Sequence, residues 1–134
     1  MALLHWTSDL EVGIEEIDKQ HQQLVNYINH LYEAHHSGSR EEMGKALDEL
    51  IQYTIDHFAY EEEMLRQSGY PLLAPHARVH QHFVDKVGTF KNRFNNGDDI
   101  GQELLDLMEG WLFMHIRRND HGYAEHVKKS ISNS

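Results

Sequence analysis

Residues 43–64 read MGKALDELIQYTIDHFAYEEEM. Met43, Leu47, Leu50, Thr54, His57, Glu61 and Met64 recur at alternating steps of four and three, which puts them on one stripe of a helix. Such a stripe is the seam of a helical bundle. Its last turns carry His57 and Glu61 where a packed bundle would ordinarily place leucine. A carboxylate buried in a core is costly unless it is paired or bound to metal. The stretch therefore predicts a fold and a site inside it.

Working outward, Ser39-Arg-Glu-Glu42 reads as a capping box, so this helix spans about 40–67 and stops before Gly69 and Pro71. Upstream, an arm (1–17) containing Trp6 leads to a helix over 18–37, with Asp18 as its cap and Ser37-Gly38 as its stop. Leu24, Val25, Ile28, Leu31 and Tyr32 form its apolar face, and His21 falls on that face. Downstream, Pro75 suits the first turn of a helix over 75–95, whose seam is His76, His80, Phe83, Val87, Phe90 and Phe94. Asn95-Asn96-Gly97 ends it. Asp98 or Asp99 caps a fourth helix over 99–119, with Leu104, Met108, Trp111 and His115 on its seam. A tail helix covers about 121–130. The connections are short, so successive helices are antiparallel neighbours. The expected fold is all-α: one domain (1–134), an antiparallel up-down-up-down four-helix bundle with an N-terminal arm and a short C-terminal helix.

Composition narrows the chemistry. The chain has 134 residues and no cysteine, which excludes disulfides, thiolate metal sites and a cysteine nucleophile. Its net charge of −10 repels a phosphate backbone, so no nucleic-acid partner is expected. The only basic doublets are Arg117-Arg118 and Lys128-Lys129. No apolar run approaches the ~20 residues of a membrane span, and no secretory signal is visible. Cytoplasmic residence is the expectation. Twelve histidines are far above ordinary usage.

Topology gathers some of those histidines. In an up-down-up-down bundle, the start of the first helix is level with the end of the second. The start of the third and the end of the fourth lie at that same end. His21, His57/Glu61, His76/His80 and His115/Asp120 therefore converge. A lone histidine in a seam is usually a satisfied core residue. Four converging groups instead offer neutral imidazole and carboxylate, the ligands of divalent iron, manganese or zinc. If both carboxylates and one solvent oxygen bridge two octahedral ions, three histidines complete one ion. Two histidines leave the other with one open position. Leu24, Phe58, Trp111, Leu112 and Ile116 would make that position apolar. Asp120 lies five residues from His115, not four, so a local distortion or helix end is expected there. The remaining histidines (His5, His30, His35, His36, His82, His121 and His126) read as surface residues.

The chain resembles the hemerythrin family, in its bacterial single-domain branch. The resemblance runs from Trp6 to about Tyr123. It is carried by Trp6 to Gly13, Ile17-Asp-Lys-Gln-His21-Gln-Gln-Leu24, His57-Phe-Ala-Tyr-Glu61-Glu62, His76-Ala-Arg-Val-His80 and Trp111-Leu-Phe-Met-His115-Ile-Arg-Arg-Asn-Asp120. It implies a non-haem di-iron site: His76, His80 and His115 on the filled iron, His21 and His57 on the open one. Glu61 and Asp120 bridge the two irons, with an oxo or hydroxo group between them. The function it implies is reversible dioxygen binding, as carrier, store or sensor, without catalysis. Two other readings compete. One is a di-iron enzyme handling peroxide, nitric oxide or ferrous iron. That class uses Glu-x-x-His pairs and more carboxylate than this chain offers. The other is an oxygen or redox signalling module that acts through a separate protein partner.

Overall fold

The structure, a computed structural model, describes residues 6–116 and 120–132. After a single 3-10 turn at Ser8–Leu10 come α1 (Glu15–Ser37), α2 (Arg40–Ser68), α3 (Leu73–Asn95), α4 (Gly101–His115) and α5 (His121–Ser132). The first four helices form the antiparallel four-helix bundle that the seams predict. α1 packs between α2 and α4, and α2 also packs on α3 and α5. Among the described residues no helix is long and apolar enough to cross a membrane.

Local chemistry explains most boundaries. Ser39 Oγ accepts from Glu42 N at 3.2 Å and starts α2. The reciprocal half of the capping box is replaced, because Ser39 N donates to Ser37 Oγ. Gly38 and Gly69 close α1 and α2 in the left-handed conformation, with φ of 74° and 70°. Pro75 sits in the first turn of α3, as expected.

Four expectations need correction. α1 begins at Glu15, three residues before the expected start, and Asp18 is not its cap. The Asp18 carboxylate instead accepts from Val12 N and Gly13 N at 2.8 and 3.1 Å, pinning the arm to the first turn. α4 starts at Gly101, where Asp99 Oδ1 accepts from Gly101 N; its described α-helical span runs to His115, and the expected end at 119 lies outside the described residues. His35 is half-buried, its ring packed so closely on Gly101 that a side chain there would collide with it. His126 is also half-buried, with Nε2 2.8 Å from Ser68 O. His30, His36 and His82 are exposed, as expected. His5, the Arg117-Arg118 doublet and the side chain of His121 lie outside the described residues.

The main core is built from Leu24, Ile28, Leu31, Leu47, Leu50, Phe83, Leu104 and Met108, with their neighbours. A smaller cluster of Leu65, Tyr123 and Val127 holds α5 against the end of α2. Leu65 is fully buried while Met64, the seam residue, is only half-buried. α5 covers the flank of α2 that a plain four-helix seam leaves to solvent.

Candidate metal centre

Eight polar side chains are buried among the described residues. Seven of them are His21, His57, Glu61, His76, His80, His115 and Asp120, and Thr54 is the eighth. The seven lie at the bundle end that the topology predicts, and each is at most 4 % exposed. α1 contributes His21, α2 His57 and Glu61, α3 His76 and His80, and α4 His115. Asp120 follows a break in the α-helix: the backbone at Ile116 and Asp120 is π-helical. A π-helical turn closes its hydrogen bonds at i→i+5 rather than i→i+4 and so takes up an extra residue, which lets the five-residue spacing bring Asp120 back to the side of His115.

Ligand atoms fall into two groups that share the carboxylates. One atom each from Glu61, His76, His80, His115 and Asp120 lies within 4.8 Å of all the others, and the same holds for His21, His57, Glu61 and Asp120. The oxygens divide between the groups. Glu61 Oε1 faces His76 Nε2 at 2.6 Å and His80 Nε2 at 3.1 Å. Glu61 Oε2 faces His57 Nε2 at 3.4 Å and His21 Nε2 at 3.7 Å. Asp120 Oδ1 faces His76 Nε2 at 3.2 Å and His115 Nε2 at 3.1 Å, while Oδ2 faces His21 Nε2 at 2.9 Å. Two ligand atoms about 2.1 Å from one ion and at right angles stand about 3 Å apart. Most of these separations are of that size.

Several contacts are poor hydrogen bonds and good metal edges. His21 Nε2 and Asp120 Oδ2 are 2.9 Å apart, yet neither has a hydrogen-bond partner with acceptable angles among the described residues. His80 Nε2 meets His115 Nε2 at 3.1 Å, and at most one proton fits between two ring nitrogens. Buried polar atoms without partners ask for an explanation, and an ion is one. The donor set, imidazole with carboxylate, suits iron, manganese or zinc.

Outer contacts fix the rings. His57 Nδ1 donates to Gln20 Oε1 at 2.6 Å, and His80 Nδ1 donates to Glu62 Oε2 at 2.9 Å. In each ring the proton on Nδ1 leaves the Nε2 lone pair facing the site. Phe58 stacks on His80 with centroids 3.8 Å apart, and Trp111 stacks on His115 at 4.4 Å. Tyr123, fully buried, donates its hydroxyl to Glu61 Oε2 at 3.2 Å. Sequence reasoning named none of Gln20, Glu62 or Tyr123 as site residues. The signal available for the first two was adjacency to His21 and Glu61.

Electrostatics follow from burial. Burial alone would lower His21, but the Asp120 and Glu61 carboxylates raise it to about 9; the same opposition raises His76 to about 9. His57 is lowered by burial. Burial works against the Glu61 carboxylate, yet His21, His57, His76 and His80 hold it well below its ordinary range. Asp120 is likewise held down, against burial and the Glu61 charge, by His115, His21 and His76. A consequence is testable in the metal-free protein between about pH 7.5 and 9. Above about pH 7.5 the carboxylates are ionised and His57 is neutral in both folded and unfolded chains. His21 and His76 keep protons in the folded chain that the unfolded chain has lost above about 6.5. Their contribution is full below about 6.5 and fades as pH rises through about 9. The urea midpoint of metal-free protein is therefore expected to fall across this window. A midpoint that rises with pH contradicts the assignment.

Of the apolar residues expected beside the open position, Leu24, Phe58, Leu112 and Ile116 are buried and Trp111 is half-buried. Leu24, Phe58, Trp111 and Leu112 line one small apolar cavity, which runs on past Ile28, Leu50, Phe83 and Met108. Ile116 belongs to the core but not to that lining. Thr54 also lines the cavity, with its hydroxyl turned back to Leu50 O at 2.7 Å.

Comparison with known proteins bears on all of this. Residues 12–127 match the Hemerythrin HHE cation binding domain family. The chain is 44% identical over 132 residues to a bacteriohemerythrin of Stenotrophomonas maltophilia, covering 98% of this chain and 86% of that one. It is 31% identical over 126 residues to the bacteriohemerythrin of Methylococcus capsulatus, covering 92% and 96% of the two chains. A wild-type hemerythrin crystal structure superimposes with a TM-score of 0.90 at 30% identity, over 94% of this chain and 98% of that one.

Proposed function

This chain belongs to the hemerythrin family, and we propose that it binds dioxygen reversibly at a pair of non-haem irons, as a carrier, store or sensor. In this reading His76, His80 and His115 hold one iron, and His21 and His57 hold the other. Glu61 and Asp120 would serve both irons, alongside an oxo or hydroxo group. Bound there, the iron pair would supply two electrons and one open position for dioxygen.

The observation that carries the reading is the unequal division of donors. Each carboxylate turns one oxygen to each histidine group, and those groups number three and two. Two six-coordinate ions sharing three bridges then differ by one position. The rest of the chemistry belongs to the surrounding side chains. Leu24, Phe58 and Leu112 offer no donor or acid, so they exclude water and withhold protons. Tyr123 is the acidic group in contact with the bridging carboxylate. Burial and the neighbouring Glu61 and Asp120 charges push its hydroxyl well above the ordinary value, so it keeps its proton. Binding without turnover is what such surroundings favour.

The test is optical. Protein reduced without oxygen, exposed to air and then flushed with argon should gain and lose a visible band over repeated cycles. Oxidation with no recoverable adduct contradicts the proposal. So does steady consumption of peroxide or nitric oxide above a Glu61→Gln control.

A further inference from the structure

Gln20 and Glu62 occupy equivalent places in the two halves of the centre. Each is the chain neighbour of one candidate ligand, His21 or Glu61, and each reaches across to a histidine of a different helix. Gln20 Oε1 accepts from His57 Nδ1 at 2.6 Å, and Glu62 Oε2 accepts from His80 Nδ1 at 2.9 Å. The two acceptors differ in charge: one is a neutral amide, the other a carboxylate.

A carboxylate behind an imidazole draws the Nδ1 proton towards itself and leaves more electron density on Nε2. That nitrogen then binds a divalent ion more strongly. An amide fixes the same tautomer and orientation but adds no charge. We propose that this difference sets the order of metal binding, an inference that rests on the two-metal reading above. Glu62 makes the His76, His80 and His115 half the tight position. Gln20 leaves the His21 and His57 half as the position filled last and emptied first. The Glu62 side chain is 35% exposed, beside a groove between α2 and α3, so its charge can be removed without disturbing the core. It acts as a positioning residue, through His80.

Isothermal titration of the metal-free chain with cobalt(II) tests this. The parent should take two ions in two resolved steps. Glu62→Gln should weaken the tighter step by about 10–100-fold and leave the weaker step in place. Gln20→Glu should strengthen the weaker step, which loss of a structural contact would not do. Glu63→Gln is the control, because the Glu63 carboxylate bonds Arg66 and Gln67 and not a candidate ligand. It should change neither step. A parent that takes one ion overturns the two-metal reading. A parent that takes two, with both steps unchanged or equally weakened in Glu62→Gln, overturns this inference alone.

Discussion

Glu61→Gln is expected to leave the folded chain almost without iron. Glutamine keeps the volume of Glu61, and its amide oxygen can still accept from the Tyr123 hydroxyl, so the bundle end stays packed. It cannot present an anionic oxygen to each histidine group. Its amide nitrogen has no lone pair to offer an ion, and its N–H groups would donate to the ring lone pairs that an ion needs. Glu61 faces His57 and His21 through one oxygen and His76 and His80 through the other. Its loss therefore affects both positions together. The drop in affinity should exceed the ~10–100-fold typical of an outer-sphere partner. Metal analysis after gel filtration, beside a far-UV spectrum that reports the fold, measures it. Parent-level iron in a folded variant would exclude Glu61 as a shared ligand.

Removing the metal from the parent should have the second large effect. Without an ion the centre holds two buried carboxylates and five buried imidazoles, with His80 Nε2 3.1 Å from His115 Nε2. Protons on His21 and His76 offset part of that charge, but unsatisfied lone pairs remain. An ion that binds only the folded chain adds about 4 kcal/mol when present at ~1,000 times its Kd. For a domain of this size each kcal/mol moves Tm by about 3–5 °C. Stripping the metal with a chelator should thus lower Tm by at least about 10 °C, and adding ferrous iron back should restore it. Equal melting temperatures would mean that the seven side chains pair well enough among themselves.

The bundle was legible because its seams are long and regular. Placing His57 and Glu61 on the α2 seam, and His76 and His80 on the α3 seam, already implied a polar cluster inside a core. Asp120 was legible as an exception: its spacing from His115 predicts a broken helix, and the backbone turns π-helical there. What escaped the reading depends on contacts across helices that leave no periodic trace. Asp18 has the residue type of a cap, but its carboxylate serves the backbone of Val12 and Gly13, and α1 starts earlier. Glu62 stands between Glu61 and Glu63 and off the α2 seam, and only the approach of α3 gives it His80. Tyr123 follows the break, where no pattern shows that α5 folds back on the end of α2. His35 and His126 were misread for the same reason: their burial comes from neighbouring helices.

Ferrous iron bound per chain tests the account most directly. Metal-free protein is loaded without oxygen, freed of excess iron by gel filtration, and analysed for metal and protein together. The division of seven ligands into two groups with shared carboxylates predicts about two irons per chain. A single iron per chain, or a chain that retains one zinc in preference, would contradict it.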